Sequence, residues 1–324
     1  MSSTATSRTR SGRGWLPTSP SDRRVRVLAW LVLATQLLIV GTGGAVRLTG
    51  SGLGCTTWPR CTEDSFIATP EMGIHGIIEF GNRTLFFVLQ AVAILAFLSV
   101  WRLRRGRRDL FVLALVPCFT VVVQAVLGGI TVWSGLNPYV VGLHFLPSVL
   151  LAAVAAAYVD RVYAVPGPRV RAVPGWVAGV THLLSGVLFV TIVLGILTTG
   201  SGPHAGDAGA ARNGLDSELL QHFHSWPAYV SLGLALVVAV FAALRGPRAL
   251  LRRAILLLAV MAVQIVVGIW QARTGLPPIL VGVHMVLACG LAAAMTSVVL
   301  ALKAPAPARR PEDAPAAPSL AGAR

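Results

Sequence analysis

Residues 124–144 read QAVLGGITVWSGLNPYVVGLH, and residues 264–284 read QIVVGIWQARTGLPPILVGVH. Gln124-x-x-x-Gly128 returns as Gln264-x-x-x-Gly268. Gly135-Leu136-x-Pro138 returns as Gly275-Leu276-x-Pro278, and Val141-Gly142-x-His144 as Val281-Gly282-x-His284. Every pair is 140 residues apart with no gap, so the chain carries an internal duplication. The glycine-rich stretch Gly41–Gly52 also echoes Gly195–Gly202.

Outward from this repeat, long apolar runs fill most of the chain. Eight of them reach the roughly 20 residues that a helix needs to cross a bilayer: 27–46, 74–101, 110–133, 139–159, 174–198, 219–244, 250–271 and 279–302. Only 12% of residues are charged while 55% are hydrophobic, and mean hydropathy is +0.74. A soluble domain carries about 25% charged residues to cover its surface. The apolar content excludes disorder for the bulk of the chain, and four cysteines in 324 residues exclude a disulfide scaffold. The expected fold is all-α: a polytopic membrane protein with eight transmembrane helices in two four-helix bundles. The first repeat covers 27–162 and the second 174–302, with a cytoplasmic linker at 163–173. Four is even, so both copies enter the membrane in the same direction, as parallel repeats about an axis along the membrane normal.

A net charge of +15 would suggest nucleic acid as the partner of a soluble protein. Its placement assigns it to topology instead, and no nucleic acid is expected. Of 27 Lys+Arg, 22 lie in residues 1–26, 102–109, 160–173 and 245–253 and after 302, all on one side. Arg47, Arg60, Arg212 and Arg273 lie on the other side, and Arg83 lies within span 2. The positive-inside rule places both termini in the cytoplasm of a plasma-membrane protein. The lipid bilayer is then the partner, with some affinity for its anionic headgroups. Span 1 is too long, and too far from the start, to read as a cleaved leader. Residues 1–26 form a basic cytoplasmic tail and 303–324 a second one. Their outer parts, 1–22 and 304–324, are rich in Ser, Pro, Ala and Arg and are expected to be disordered.

His75, His144, His224 and His284 sit near the starts of spans 2, 4, 6 and 8, all of which begin on the outer side. They therefore share one depth, toward the outer face. Ionisable groups retained in a bilayer usually face the bundle interior and act there. Two imidazoles on facing helices can ligate heme iron axially, and a four-helix bundle suits a heme between its helices. Zinc would want thiolates or carboxylates, and none cluster at this depth. A hydrogen-bonded core role competes for any single histidine, but the shared Val-Gly-x-His setting of His144 and His284 weighs against it. Gly142 and Gly282 are expected to leave room for a flat macrocycle beside those histidines. His182 and His204 are read as structural or loop residues.

Aligning spans 2 and 6 pairs Glu79-Phe-Gly-Asn82 with Gln221-His-Phe-His224. His224 is then the partner of His284, while Asn82 is a poor iron ligand. His75, Glu79 and Asn82 stand at i, i+4 and i+7 on one helix face. His75 is either a displaced ligand or an interfacial residue. Glu79 is either ion-paired with Arg83 at i+4 or an acid or anion beside a reactive heme edge. Gln221 at the matching position favours the second reading and makes the two sites chemically different, one catalytic and one carrying electrons. Arg47 and Arg83 are read as partners of heme propionates or as interface anchors. Cys55 and Cys61 flank Pro59 in the first external loop, where an oxidising exterior permits a disulfide, and an exposed disulfide can be redox-active. Cys118 and Cys289 lie in spans as small packing residues. No C-x-x-C-H occurs, so covalently attached heme is not expected.

Together these residues resemble the heme A synthase family, in a form with one external cysteine pair. The motifs are Gly43-Gly-Ala-Val-Arg47-Leu-Thr-Gly-Ser-Gly-Leu-Gly-Cys55, Glu79-x-x-x-Arg83, Gln124-x-x-x-Gly-Gly-x-Thr131 leading to His144, and the repeat leading to His284. The resemblance implies that heme O enters the first half and that its C8 methyl is oxidised to a formyl group, giving heme A for cytochrome oxidase. It implies a heme b in the second half, held by His224 and His284. In the first half it implies a Glu-x-x-His and a further His, which map onto Glu79, Asn82 and His144. Heme O synthase would be the upstream supplier, the electron donor is left open, and a homo-oligomer is admitted. Two departures stand out. Asn82 replaces the expected ligand, so either His75 substitutes or His144 holds the iron alone. The second external cysteine pair is missing, and the 200–218 loop offers His204 and Asp207 instead. Two other functions compete: a membrane cytochrome b relaying electrons to quinone, which would want two equivalent bis-His sites, and a transporter built on a parallel repeat.

Overall fold

A computed structural model describes residues 16–307. The expectations for 1–15 and 308–324 lie outside the described residues. Eight α-helices follow one another among the described residues: α1 (Arg23–Leu48), α2 (Gly73–Val100), α3 (Arg108–Trp133), α4 (Pro138–Tyr163), α5 (Gly175–Ser201), α6 (Ser217–Leu244), α7 (Arg248–Arg273) and α8 (Pro278–Ala301). Each is long and apolar enough to cross a membrane, and each coincides with a predicted span to within a few residues. The ends differ because caps, not hydropathy, set them. Asp22 accepts from the Arg24 N–H to open α1, Asn137 accepts from Tyr139 and Val140 to open α4, and Asp216 accepts from Glu218 and Leu219 to open α6. Pro138 and Pro278 begin α4 and α8, where a missing N–H costs nothing.

The duplication reaches the backbone. α3 and α7 both end on a Gly-Leu pair in the left-handed region: φ is 60° at Gly135, 59° at Leu136, 76° at Gly275 and 60° at Leu276. A left-handed leucine is strained. In each copy it carries the leucine N–H back to a carbonyl five residues earlier, Thr131 at 2.8 Å and Gln271 at 2.9 Å. That bond closes the helix and turns the chain into the next one.

Within each half the helices pack in a ring, α1 through α4 and α5 through α8, and the halves meet through α1, α4, α5 and α8. Val40, Val149, Ala152 and Cys289 form the core of that junction, with Ile192 and Met285 against them. Gly142 and Gly282 belong to the same junction. A Cβ on Gly142 would fall 2.6 Å from Ile196, and one on Gly282 3.2 Å from Leu48. The expectation that these glycines make room for a macrocycle is therefore corrected: they let the two halves approach. At the face carrying both chain ends, the terminal face, Asp160 of α4 pairs with Arg253 of α7, whose Nη1 also donates to Ser297 O at 2.9 Å.

A short two-stranded sheet lies at the terminal face. Arg169–Arg171 (β1) pairs antiparallel with Lys303–Pro305 (β2), and Ala306 N–H donates to Pro168 O at 2.9 Å. The chain before α1 forms a turn in which Asp22 N–H donates to Ser19 O. Disorder expected at 16–22 and at 304–307 is corrected on these grounds, because backbone pairing holds segments that composition alone describes as loose.

Apolar packing is uneven along the membrane normal. In the first half the buried cluster includes Val25, Ala29, Ala96, Leu110, Ala155 and Tyr158, all toward the terminal face. In the second half Val177, Leu184, Val238, Leu250, Leu257 and Val298 do the same. Toward the opposite, distal face the core thins. In α6 no residue before Ser231 is buried, and in α2 only Gly76 and Glu79 are buried before Leu89. All four helix-start histidines lie in this thinly packed region.

Candidate functional site: two imidazole seats

In the second half His224 (α6) and His284 (α8) approach across the ring, with centroids 6.1 Å apart and planes at 74°. Two imidazoles sharing one metal, at about 2 Å per metal–nitrogen bond, place their centroids about 6 Å apart. His224 Nδ1 lies 2.8 Å from Thr191 O. A carbonyl only accepts, so Nδ1 carries the proton and the lone pair is left on Nε2, the form a metal requires. Glycines give these rings a floor. A Cβ on Gly195 would fall 2.8 Å from His224 Cε1, and one on Gly268 3.1 Å from His284 Cε1. Gln264 Nε2 donates to His284 O at 3.2 Å.

The first half repeats the seat of His284 around His144. Its ring rests on Gly128, where a Cβ would fall 3.4 Å from Cε1. Gln124 Nε2 donates to His144 O at 3.0 Å and to Ser148 Oγ at 2.6 Å. Both His144 Nδ1 and His284 Nδ1 are buried without a hydrogen-bond partner. The conserved spacing Gln-x-x-x-Gly within the repeat thus has a local function: glutamine ties down the histidine backbone and glycine supports its ring. Sequence reasoning found the motif but not this role. The signal was there, in a glycine returning opposite each repeated histidine.

The partner position differs. Where His224 stands in the second half, the first half has Asn82, whose Oδ1 accepts from Thr42 Oγ1 at 2.8 Å. His75 is exposed, and its Nδ1 lies 2.8 Å from the Oγ of buried Ser51. The backbone of Gly54 rests on the His75 carbonyl, leaving no space for a Cβ. His75 therefore anchors the first distal loop.

That loop is fastened by the other predicted residues. Cys55 and Cys61 form the expected disulfide. Glu79 is buried; its Oε2 accepts from the Cys55 N–H, and its Oε1 accepts from Arg83 Nη2 at 2.5 Å and Nε at 3.1 Å. Arg83 Nη1 also donates to Thr57 O at 2.9 Å and Arg60 O at 3.0 Å. Trp58, which sequence reasoning missed, sits directly on Gly129 and meets Trp133 edge-on at 5.5 Å, with Trp133 Nε1 donating to Trp58 O at 3.1 Å. Its sequence signal was the second glycine of Gln-x-x-x-Gly-Gly, where the other copy has Ile269.

Arg47 reaches across to the second half, donating from Nε to His204 O at 2.7 Å and from Nη2 to Thr199 O at 3.0 Å. His204 Nε2 in turn lies 2.8 Å from Leu276 O, the loop role expected of it. Of the two readings offered for Arg47 and Arg83, the structure displays anchoring, with their donors engaged by backbone carbonyls and Glu79. Cys289 is buried in the junction between halves, as a packing residue should be.

Among the described residues no group of three or more His, Cys, Asp or Glu could cage a metal ion. Axial ligation of a macrocycle asks for less, and the residues fit it unequally. The second half offers two imidazoles at the right separation; the first offers one. Two cavities of about 300 and 350 Å³ lie at the terminal face, lined among others by Asp160, Arg169 and Arg253 and by Arg107, Asp109 and Arg161, far from these histidines.

Residues 26–296 match the family described as cytochrome oxidase assembly protein. Similar relatives are named heme A synthase. The one from Lysinibacillus sphaericus is 31% identical over 146 residues, 42% of this chain and 47% of the relative. The chain belongs to the heme A synthase family of cytochrome oxidase assembly proteins. The heme A synthase of Listeria welshimeri is 28% identical over 144 residues, 42% of this chain and 47% of the relative. That of Alkalihalophilus pseudofirmus is 28% identical over 134 residues, 41% and 44% respectively. The chain spans about half the length of the curated relatives it matches. As a family member with eight bilayer-length helices, it is a multi-pass membrane protein.

Proposed function

We propose that this chain is a plasma-membrane oxidoreductase that oxidises the C8 methyl of heme O to a formyl group, giving heme A for cytochrome oxidase. In this reading both termini are cytoplasmic and the distal face is outward. Heme O, received from heme O synthase, binds in the first half through His144, and heme b binds in the second half through His224 and His284. The observation that carries the reading is one imidazole seat built twice, with a buried carboxylate, Glu79, in only one of the two halves.

Bound heme supplies the redox chemistry, and the protein supplies orientation and electrostatics. Thr191 O fixes the His224 tautomer, so Nε2 is ready to ligate. Gln124 and Gln264 hold the backbones of His144 and His284, which sets the height of each ring in its bundle. Glu79 has both oxygens held, one by Arg83 and one by the Cys55 N–H, so its carboxylate cannot swing away. Such a fixed anion can stabilise positive charge developing at a methyl carbon or accept a proton from it. Trp58 and the disulfide loop pack against the same half, at Gly129 and Trp133. The asymmetry between Asn82 and His224 argues against an electron relay built from two equal sites.

Pigment extraction tests this. The chain is produced with and without heme O synthase, and the hemes are separated by mass. Heme A or its alcohol precursor is expected only when heme O is co-produced. Bound heme O that stays unmodified in the presence of an active electron supply would reject the enzymatic reading.

A further inference from the structure

Asn82, which aligns with His224, is tethered to a neighbouring helix as His224 is, but with the opposite chemical result. His224 uses Nδ1 to reach α5, at Thr191 O, 2.8 Å away. Asn82 uses Oδ1 to reach α1, at Thr42 Oγ1, also 2.8 Å away. The tether leaves His224 with a free Nε2 lone pair. It leaves Asn82 with its NH₂ group, which has two donors and no lone pair for a metal. The amide is also shorter than an imidazole.

No other imidazole replaces it. His75 lies seven residues from Asn82, about 10 Å along the axis of α2. Its Nδ1 is on Ser51 and its backbone is packed by Gly54. His144 itself keeps the seat of His284, with the same glutamine tie and the same glycine floor.

We propose that the first half holds heme iron through His144 alone and keeps the opposite axial position for a small neutral ligand, a diatomic gas, which the Asn82 amide N–H groups hydrogen-bond. The inference rests on the reading that both halves hold heme. Thr42 is a positioning residue in it, since its hydroxyl donates to the amide oxygen at 2.8 Å and leaves the N–H groups as the free end of the amide. The second half, saturated by two imidazoles, excludes such a ligand.

The test uses the full-length protein loaded with iron protoporphyrin IX, reduced, and titrated with carbon monoxide. Wild type is expected to bind about one carbon monoxide per two hemes, with one high-spin and one low-spin heme before addition. Asn82→His is expected to make both hemes low-spin and to abolish carbon monoxide binding. Asn82→Leu keeps the open position but removes the donors, so binding persists while the C–O stretch in the infrared rises above that of wild type. Thr42→Val is expected to move the stretch in the same direction. If no low-spin heme forms and His284→Ala changes nothing, the shared heme reading fails. If both hemes load and both are low-spin in wild type, with one low-spin signal lost in His75→Ala, this inference is overturned while the heme reading stands. An identical C–O stretch in wild type and Asn82→Leu would reject the donor role.

Discussion

The two halves of this membrane protein share a backbone and differ in what closes them. Both turn on a left-handed Gly-Leu pair, both tie a histidine backbone with a glutamine, and both seat its ring on a glycine. In the first half a second glycine, Gly129, accepts Trp58, and the disulfide loop is bolted down by Glu79 and Arg83. In the second half Ile269 stands in place of Gly129, Gln221 in place of Glu79, and His224 in place of Asn82. Duplication thus supplied one imidazole seat, and a few substitutions set different side chains around it. One copy gained a second imidazole suited to holding a metal firmly. The other has a buried carboxylate and the loop that it fastens.

The comparison predicts its own breaking points. The largest effect should come from Glu79→Gln, which gives the first half the amide of the second. Conversion of heme O should fall by about 10²–10⁴-fold, the usual worth of a positioned acid–base group, while heme content and spectra stay as in wild type. Turnover close to wild type would remove Glu79 from the chemistry and leave it a loop clamp.

A graded effect should follow from the glycine floors. Alanine at Gly195 would place Cβ 2.8 Å from the His224 ring, at Gly268 3.1 Å from His284, and at Gly128 3.4 Å from His144. Heme retained per protein, measured as the pyridine hemochrome, should drop most for Gly195→Ala and least for Gly128→Ala. A reversed order would mean that the rings do not rest on these glycines when heme is bound. The smallest effect should be that of Arg47→Ala, which breaks two charged hydrogen bonds between the halves. Loss of about 1.5–3 kcal/mol per such bond is the upper range, read as a lower unfolding temperature in detergent with both heme spectra retained. Loss of heme at unchanged stability would restore a propionate role for Arg47.

Much of this architecture was legible before any coordinates. A helix that crosses a bilayer must be about 20 apolar residues long, so eight spans and their parity follow from hydropathy, and Cys55 and Cys61 are close enough for their bond. The site was legible only in part. Gly142 and Gly282 were misread because proximity in sequence is not proximity on a helix. Residues two apart point to different sides, so a glycine at that offset from a histidine serves the opposite neighbour, here the other half. The glycines that support the rings come from adjacent helices, and nothing in one chain's sequence states which helix faces which. Thr42, Thr191 and Trp58 were invisible for the same reason: each acts through a contact between elements, without a motif of its own. The ordered segment after α8 was missed because its pairing with Arg169–Arg171 depends on where the linker lies in space.

The spectrum of the purified protein bears most directly on the paired imidazoles. Wild type should display a low-spin heme b signal in electron paramagnetic resonance. His224→Ala and His284→Ala should each eliminate it, and His144→Ala should leave it intact. A low-spin signal that survives both second-half substitutions would contradict the assignment of that heme to His224 and His284.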